Sequence, residues 1–191
     1  MVNLKSHLAK KGEIIRFATN GALYEPNFTT TGLYIENSKT IKPLNTKPRE
    51  KEFKNFYIQP NGVFYIDKEE QVKIITTKAY QKEKVKPTYA LQSGPMLVVN
   101  GKINKELSPT SRNRFVRSGV GVIDSTKLAF VISKQPVRFY DFARVFQQKF
   151  KCKNALYLDG FISEMYLPEL GLTKSEREFA TFITVTSGLE D

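Results

Sequence analysis

The residues best suited to chemistry lie in Leu158-Asp159-Gly160, with Ser163 and Glu164 three and four residues further on. The apolar run Ala155-Leu-Tyr-Leu158 reads as a buried strand, and Asp159 stands at its end. A strand end offers a rigid base from which a functional group reaches an irregular loop. A carboxylate there can act as acid, base or charge stabiliser. It can equally be the first half of an Asp-Gly turn. Ser163 can hydrogen-bond a phosphate or a sugar, and Glu164 is either a second carboxylate of the site or a solvated loop residue.

Arginine supplies the second feature. Arg112, Arg114 and Arg117 lie in Ser111-Arg-Asn-Arg-Phe-Val-Arg-Ser-Gly-Val-Gly121. Strand alternation puts Arg112 and Arg114 on one face and Arg117 on the other. Arg117 runs into the apolar Gly-Val-Gly-Val, so it is nearest the core and needs a partner there, a carboxylate or a bound phosphate. Two more polar interruptions follow apolar runs. Asn20-Gly21 ends Ile14-Ile-Arg-Phe-Ala18, and Gln92-Ser93-Gly94-Pro95 divides Ala90-Leu91 from Met96-Leu-Val-Val99. Each is either a turn or bulge, or the lining of a cleft.

The elements that must hold these residues are mostly strands. Leu4–Gly12 reads as a short amphipathic helix closed by Gly12. Gly32–Ile35, Val72–Ile75, Phe115–Ile123 and Leu128–Ile132 read as strands, as does the terminal run Phe179–Thr186. Phe53–Ile58 and Val63–Ile66 flank Pro60-Asn61-Gly62 and are expected to pair as a hairpin. Lys42–Lys54, with two prolines, reads as a surface loop, and Lys78–Lys86 has helical character. The main helix is expected over Tyr140–Phe150, with Phe139, Phe142, Val145, Phe146 and Phe150 near one face. The fold class is therefore α+β: a largely antiparallel twisted sheet or sheets, one main packing helix and a short N-terminal helix.

Composition narrows the chemistry. The chain has 191 residues, 40% of them hydrophobic and 12% aromatic, values of a folded chain with a real core. A net charge of +11 favours anionic partners: phosphate esters, acidic glycans, anionic lipid or nucleic acid. One cysteine, Cys152, excludes an internal disulfide, and with His7 as the sole histidine no structural zinc site can be assembled. No other metal site or cofactor motif is evident. His7 lies in the first helix and reads as exposed rather than catalytic, which removes a Ser-His or Cys-His triad. Walker, dinucleotide-binding and EF-hand signatures are missing, and so is any nucleic-acid-binding signature. No apolar run is long enough to span a membrane, and no signal-peptide core is present.

Four segments together resemble the phosphodiester glycosidase family. They are Phe17-Ala-Thr-Asn-Gly21 with Gly32-Leu-Tyr-Ile-Glu36, then Asn55-Phe-Tyr-Ile-Gln-Pro-Asn-Gly-Val-Phe64. Gln92-Ser-Gly-Pro-Met-Leu-Val98 with Arg117-Ser-Gly-Val-Gly121 follows, and the last is Ala155-Leu-Tyr-Leu-Asp-Gly160 with Ser163. The resemblance implies a single domain over residues 1–191 without the strands that precede the first helix in the family. It implies cleavage of an N-acetylglucosamine 1-phosphodiester or a similar sugar phosphodiester, to free sugar and phosphomonoester. Asn20, Arg117 and Asp159 match the family's polar pocket positions and are the expected catalytic residues. Ser163, Gly160, Gly21, Gln92, Ser93 and Glu164 are the expected substrate-binding residues. A periplasmic or exported location goes with the resemblance, as does pairing of two chains through an uncovered sheet edge. The competing function is non-catalytic binding of anionic or cell-wall glycans in the same pocket. One departure stands out: the family often has two glycines after this Asp, whereas Phe161 and Ile162 follow Gly160 here.

Overall fold

The strands Gly62–Ile66, Met96–Val99, Ser118–Val122 and Asn154–Asp159 are buried almost throughout, which places them in sheets covered on both faces. The computed structural model describes residues 2–47, 55–159, 163–173 and 178–188. In chain order these form α1 (Val2–Ala9), β1 (Glu13–Asn20), β2 (Tyr34–Glu36), β3 (Lys39–Lys42), β4 (Gly62–Ile66), β5 (Val72–Thr76) and α2 (Thr77–Glu83). Then come β6 (Tyr89–Ser93), β7 (Met96–Val99), β8 (Lys102–Ile103), β9 (Ser118–Val122) and β10 (Leu128–Ile132). The chain continues with α3 (Phe139–Arg144), β11 (Asn154–Asp159), β12 (Met165–Tyr166) and β13 (Phe182–Gly188).

Three sheets result, with spatial orders β10-β9-β11-β7-β8, β3-β2-β6-β4-β5 and β12-β1-β13. Their neighbouring strands pair antiparallel. The α+β class with largely antiparallel sheets is therefore what the chain adopts. Pro95 divides one apolar run between two sheets, since β6 belongs to the second and β7 to the first.

Period two along β11 decides the layers. Ala155 and Tyr157 face a cluster built on the α3 aromatics, whereas Leu156 and Leu158 face the second sheet. Along β4, Phe64 joins Leu156 and Leu158 between the two sheets, while Val63 and Tyr65 turn the other way, towards Tyr80 of α2. The order of layers is thus α3, first sheet, second sheet, α2. The α3 face is written in sequence as Phe139, Phe142, Ala143 and Phe146, all buried at helical spacing. Phe146 lies so close to β9 that a Cβ at Gly121 would stand 2.6 Å from its ring and from Cys152 Sγ.

Several expectations need correction. The hairpin over Phe53–Ile66 does not form. Asn55–Tyr57 is a 3-10 turn, and β4 pairs with β5 and β6 instead. Phe56 and Tyr57 are buried as an edge-to-face pair, 5.1 Å between centroids, so tertiary burial overrides their strand preference. Phe53 and Lys54 lie outside the described residues. The strand expected from Phe115 begins only at Ser118, leaving Arg112 and Arg114 exposed ahead of it. The main helix changes after Arg144 into a π-helical turn, Val145–Lys149. Lys39–Lys42, partly assigned to a loop, is the edge strand β3. His7 is exposed on α1, as expected. No helix among the described residues is long and apolar enough to cross a membrane.

Candidate active site

The ends of β1 and β11 meet the start of β9, and one small side chain joins them. Asn20 Nδ2 donates to Ser118 Oγ at 2.9 Å. Ser118 Oγ lies 3.3 Å from the Asp159 backbone nitrogen, which donates to it, and 3.2 Å from the Asp159 carbonyl oxygen. Ser163 donates to the same carbonyl at 2.7 Å, and its hydroxyl is 3.2 Å from that of Ser118. The ladder puts Asp159 opposite Ser118, with a register shift between Tyr157 and Asp159. That irregularity takes the last strand residue out of the regular pleat.

Asn20 is fully engaged. Its amide also donates to the Gly21 carbonyl at 3.3 Å, and its oxygen accepts from the Glu164 backbone N–H at 3.3 Å. The Asn20 N–H donates to the Glu164 carbonyl at 3.4 Å, and Thr19 Oγ1 donates to that carbonyl at 2.9 Å. Asn20 is thus a tie between loops, 2% exposed, with each amide hydrogen already placed. Gly21 follows because nothing larger fits. A Cβ there would overlap Thr181, with its Cβ 2.9 Å away, and the Gly21 N–H donates to the Thr181 carbonyl at 2.8 Å.

Arg117, the neighbour of Ser118, is fully buried. Its Nε donates to the Val137 carbonyl at 2.9 Å, and Nη2 donates to Asn113 Oδ1 at 2.6 Å and to the Asn113 carbonyl at 3.3 Å. The guanidinium carbon sits 3.5 Å from the centroid of Phe139, with Tyr157 and Phe115 at 5.6 and 5.7 Å. Carbonyls and aromatic faces therefore hold this charge. Nη1 closes no hydrogen bond. Burial pushes the guanidinium down from its ordinary value, and the Tyr157 phenol beside it opposes that shift.

Asp159 is 5% exposed. Its charge reaches two phenols. Tyr157 is raised mainly by burial and further by Asp159, with Arg117 acting in the opposite sense. Tyr24, on the loop after β1, is likewise raised by burial, then by Asp159 and by Glu178. Tyr157 therefore feels both charges, with the guanidinium carbon 5.6 Å from its ring centroid.

Of the residues singled out in the sequence, Asn20, Gly21, Ser163, the Glu164 backbone and Asp159 meet at one point, with Arg117 adjoining. Ser93 is linked to the same strand end, donating from Oγ to the Leu158 carbonyl at 3.3 Å. Gln92 is used elsewhere. It accepts from the Leu33 and Asn45 N–H groups and donates to the Asn45 carbonyl and Thr77, tying the second sheet to its loops. Gly160 lies outside the described residues. Ser118, Tyr157 and Tyr24 were not singled out. Ser118 and Tyr157 sit inside the segments that carry the family resemblance, but only three-dimensional pairing reveals what they touch. Among the described residues, no group of three His, Cys, Asp or Glu side chains is gathered as for a metal.

The antiparallel α+β fold agrees with the family comparison. The phosphodiester glycosidase family model matches residues 13–186, and the chain belongs to that family. It is 37% identical over 171 residues to the uncharacterized protein YigE of Escherichia coli strain K12, covering 90% of this chain and 65% of that protein. Its fold is similar to the zebrafish N-acetylglucosamine-1-phosphodiester alpha-N-acetylglucosaminidase catalytic domain, solved in a form auto-inhibited by its pro-peptide. The TM-score is 0.58 at 16% identity, covering 90% of this chain and 61% of that one. The chain thus spans somewhat under two thirds of either relative.

Proposed function

We propose that this chain hydrolyses a sugar 1-phosphodiester of the N-acetylglucosamine 1-phosphodiester kind, releasing free sugar and a phosphomonoester. The observation that carries this reading is the buried Asp159, whose backbone is pinned on both sides by Ser118 and Ser163. A fixed, largely dehydrated carboxylate acts more strongly on developing charge than a solvated one. The leaving group is a phosphomonoester, already a stable anion, so departure needs little general acid. The demand falls on the other side of the bond: stabilising oxocarbenium-like charge and deprotonating the incoming water. Asp159 is assigned that role. Arg117 is assigned the phosphate, whose charge its buried guanidinium offsets. Asn20 and Ser118 are positioning residues in this reading. An exported or periplasmic location accompanies it and is checked by fractionation.

The test is direct. The protein is incubated with an α-linked N-acetylglucosamine 1-phosphodiester, and free sugar and phosphomonoester are quantified. Stoichiometric release of both supports hydrolysis. Saturable, salt-sensitive binding without product on prolonged incubation supports the second reading, a binder of anionic glycans, which the net charge of +11 favours.

A further inference from the structure

The loop between β1 and β2 carries an aromatic pair that the hydrolytic roles above leave unused. Residues 24–31 form a small hydrogen-bonded unit. Tyr24 and Thr30 make an antiparallel bridge, and the Thr31 N–H donates to the Leu23 carbonyl at 3.0 Å. The Glu25 N–H donates to the Thr29 carbonyl at 2.8 Å, and the Phe28 N–H to the Glu25 carbonyl at 2.9 Å. Asn27 Oδ1 accepts from the Thr29 N–H at 3.2 Å and from its hydroxyl at 2.8 Å.

This scaffold holds Phe28 at φ +60°, a region that bulky side chains rarely occupy. The strain is not offset by core packing, because Phe28 is 51% exposed. An outlier kept outside the core motivates a functional reading. The Phe28 ring lies nearly parallel to that of Tyr24, 16° between planes and 5.6 Å between centroids. Tyr24, four residues after Asn20, donates from its hydroxyl to the Glu178 carbonyl at 3.2 Å. The pair therefore extends from the loop that follows the Asn20 strand end out to solvent.

We infer that the Tyr24–Phe28 pair is a stacking platform for a pyranose ring of the ligand, an inference resting on the sugar phosphodiester reading above. A pyranose presents a face of C–H groups with slight positive character, which matches the negative face of an aromatic ring. Charge assigns the ends. Asp159 and Glu178 act on Tyr24 as negative charges and disfavour a phosphate there, whereas the cationic Arg117 packs against Tyr157, its guanidinium carbon 5.6 Å from that ring. The sugar therefore belongs on the Tyr24 side and the phosphate on the Arg117 side.

The chain contains no tryptophan, so Phe28→Trp supplies a single emission reporter at the platform. Phe28→Ala is expected to raise KM for the phosphodiester by about tenfold while kcat falls much less, with the melting temperature held. Phe28→Trp is expected to restore KM. Its emission should shift on titration with N-acetylglucosamine and not with inorganic phosphate. An unchanged KM in Phe28→Ala, or Trp emission that ignores the sugar, overturns the platform. If no variant or wild-type protein turns over substrate, the hydrolytic reading fails and the emission titration alone decides. A sugar-dependent shift then still supports the platform, and its absence overturns it.

Discussion

The Asn20 amide and the Ser118 hydroxyl meet at 2.9 Å although 98 residues separate them in sequence. This contact couples the end of β1 to the start of β9, and through the same hydroxyl to both backbone groups of Asp159. The catalytic candidate is therefore placed by a side chain that never needs to touch substrate.

Ser118→Ala removes the acceptor for Asn20 and for the Asp159 N–H in a buried setting. Leaving such groups unpaired costs about 1–3 kcal/mol. A thermal melt should show that loss. Steady-state kinetics should show kcat falling by roughly 10²-fold with KM nearly constant, as expected when a reacting group is misplaced rather than removed. Loss of stability with kcat intact would reduce Ser118 to a purely structural tie.

Arg117 is a poor subject for simple truncation. Arg117→Ala would vacate a fully buried site and strip Asn113 and Val137 of their donors, an expected cost of about 3 kcal/mol or more. Arg117→Lys is more informative. Its ammonium keeps the charge but loses the planar stack on Phe139 and the forked contact with Asn113. The expected result is a folded protein with lower melting temperature and a raised KM for phosphodiester, measured by initial rates over a range of substrate.

Alkaline pH should destabilise the fold in a defined window. Burial raises the Cys152 thiol from 9.0 to about 11 and the Tyr65 phenol from 10.0 to about 12. Both groups stay neutral in the folded chain to higher pH than in the unfolded chain. Their contribution is complete below pH 9 and is lost as pH climbs through 11 and 12. Urea midpoints measured from pH 7 upward should fall across that range. Cys152→Ala should flatten the earlier part of the fall.

Much of the fold was legible because it follows local periodicity. The unbroken apolar run Ala155–Leu158 reads as a buried strand, and the spacing of Phe139, Phe142 and Phe146 states which face of the helix is buried. Asn37-Ser38 and Asn100-Gly101 adopt the positive φ expected at hairpin turns. The Asn55–Tyr57 segment was not legible, since aromatic residues suit a strand and a buried turn alike. What decided it lies elsewhere in the chain: a Cβ at Gly94 would stand 2.5 Å from the Phe56 carbonyl oxygen, so that backbone is packed into the core. At the site, Asp159 and Asn20 could be found from strand ends followed by glycine. Ser118 could not, because alternation gives its face and not its partners. Gln92 shows the converse, a polar interruption in an apolar run that serves the scaffold.

The most direct test of the account is Asp159→Asn, which keeps shape and removes the charge. Initial rates on an N-acetylglucosamine 1-phosphodiester should fall by at least about 10³-fold with the melting temperature and substrate binding largely retained. A folded Asp159→Asn protein that releases sugar at the wild-type rate would contradict the assignment of Asp159 as the catalytic group.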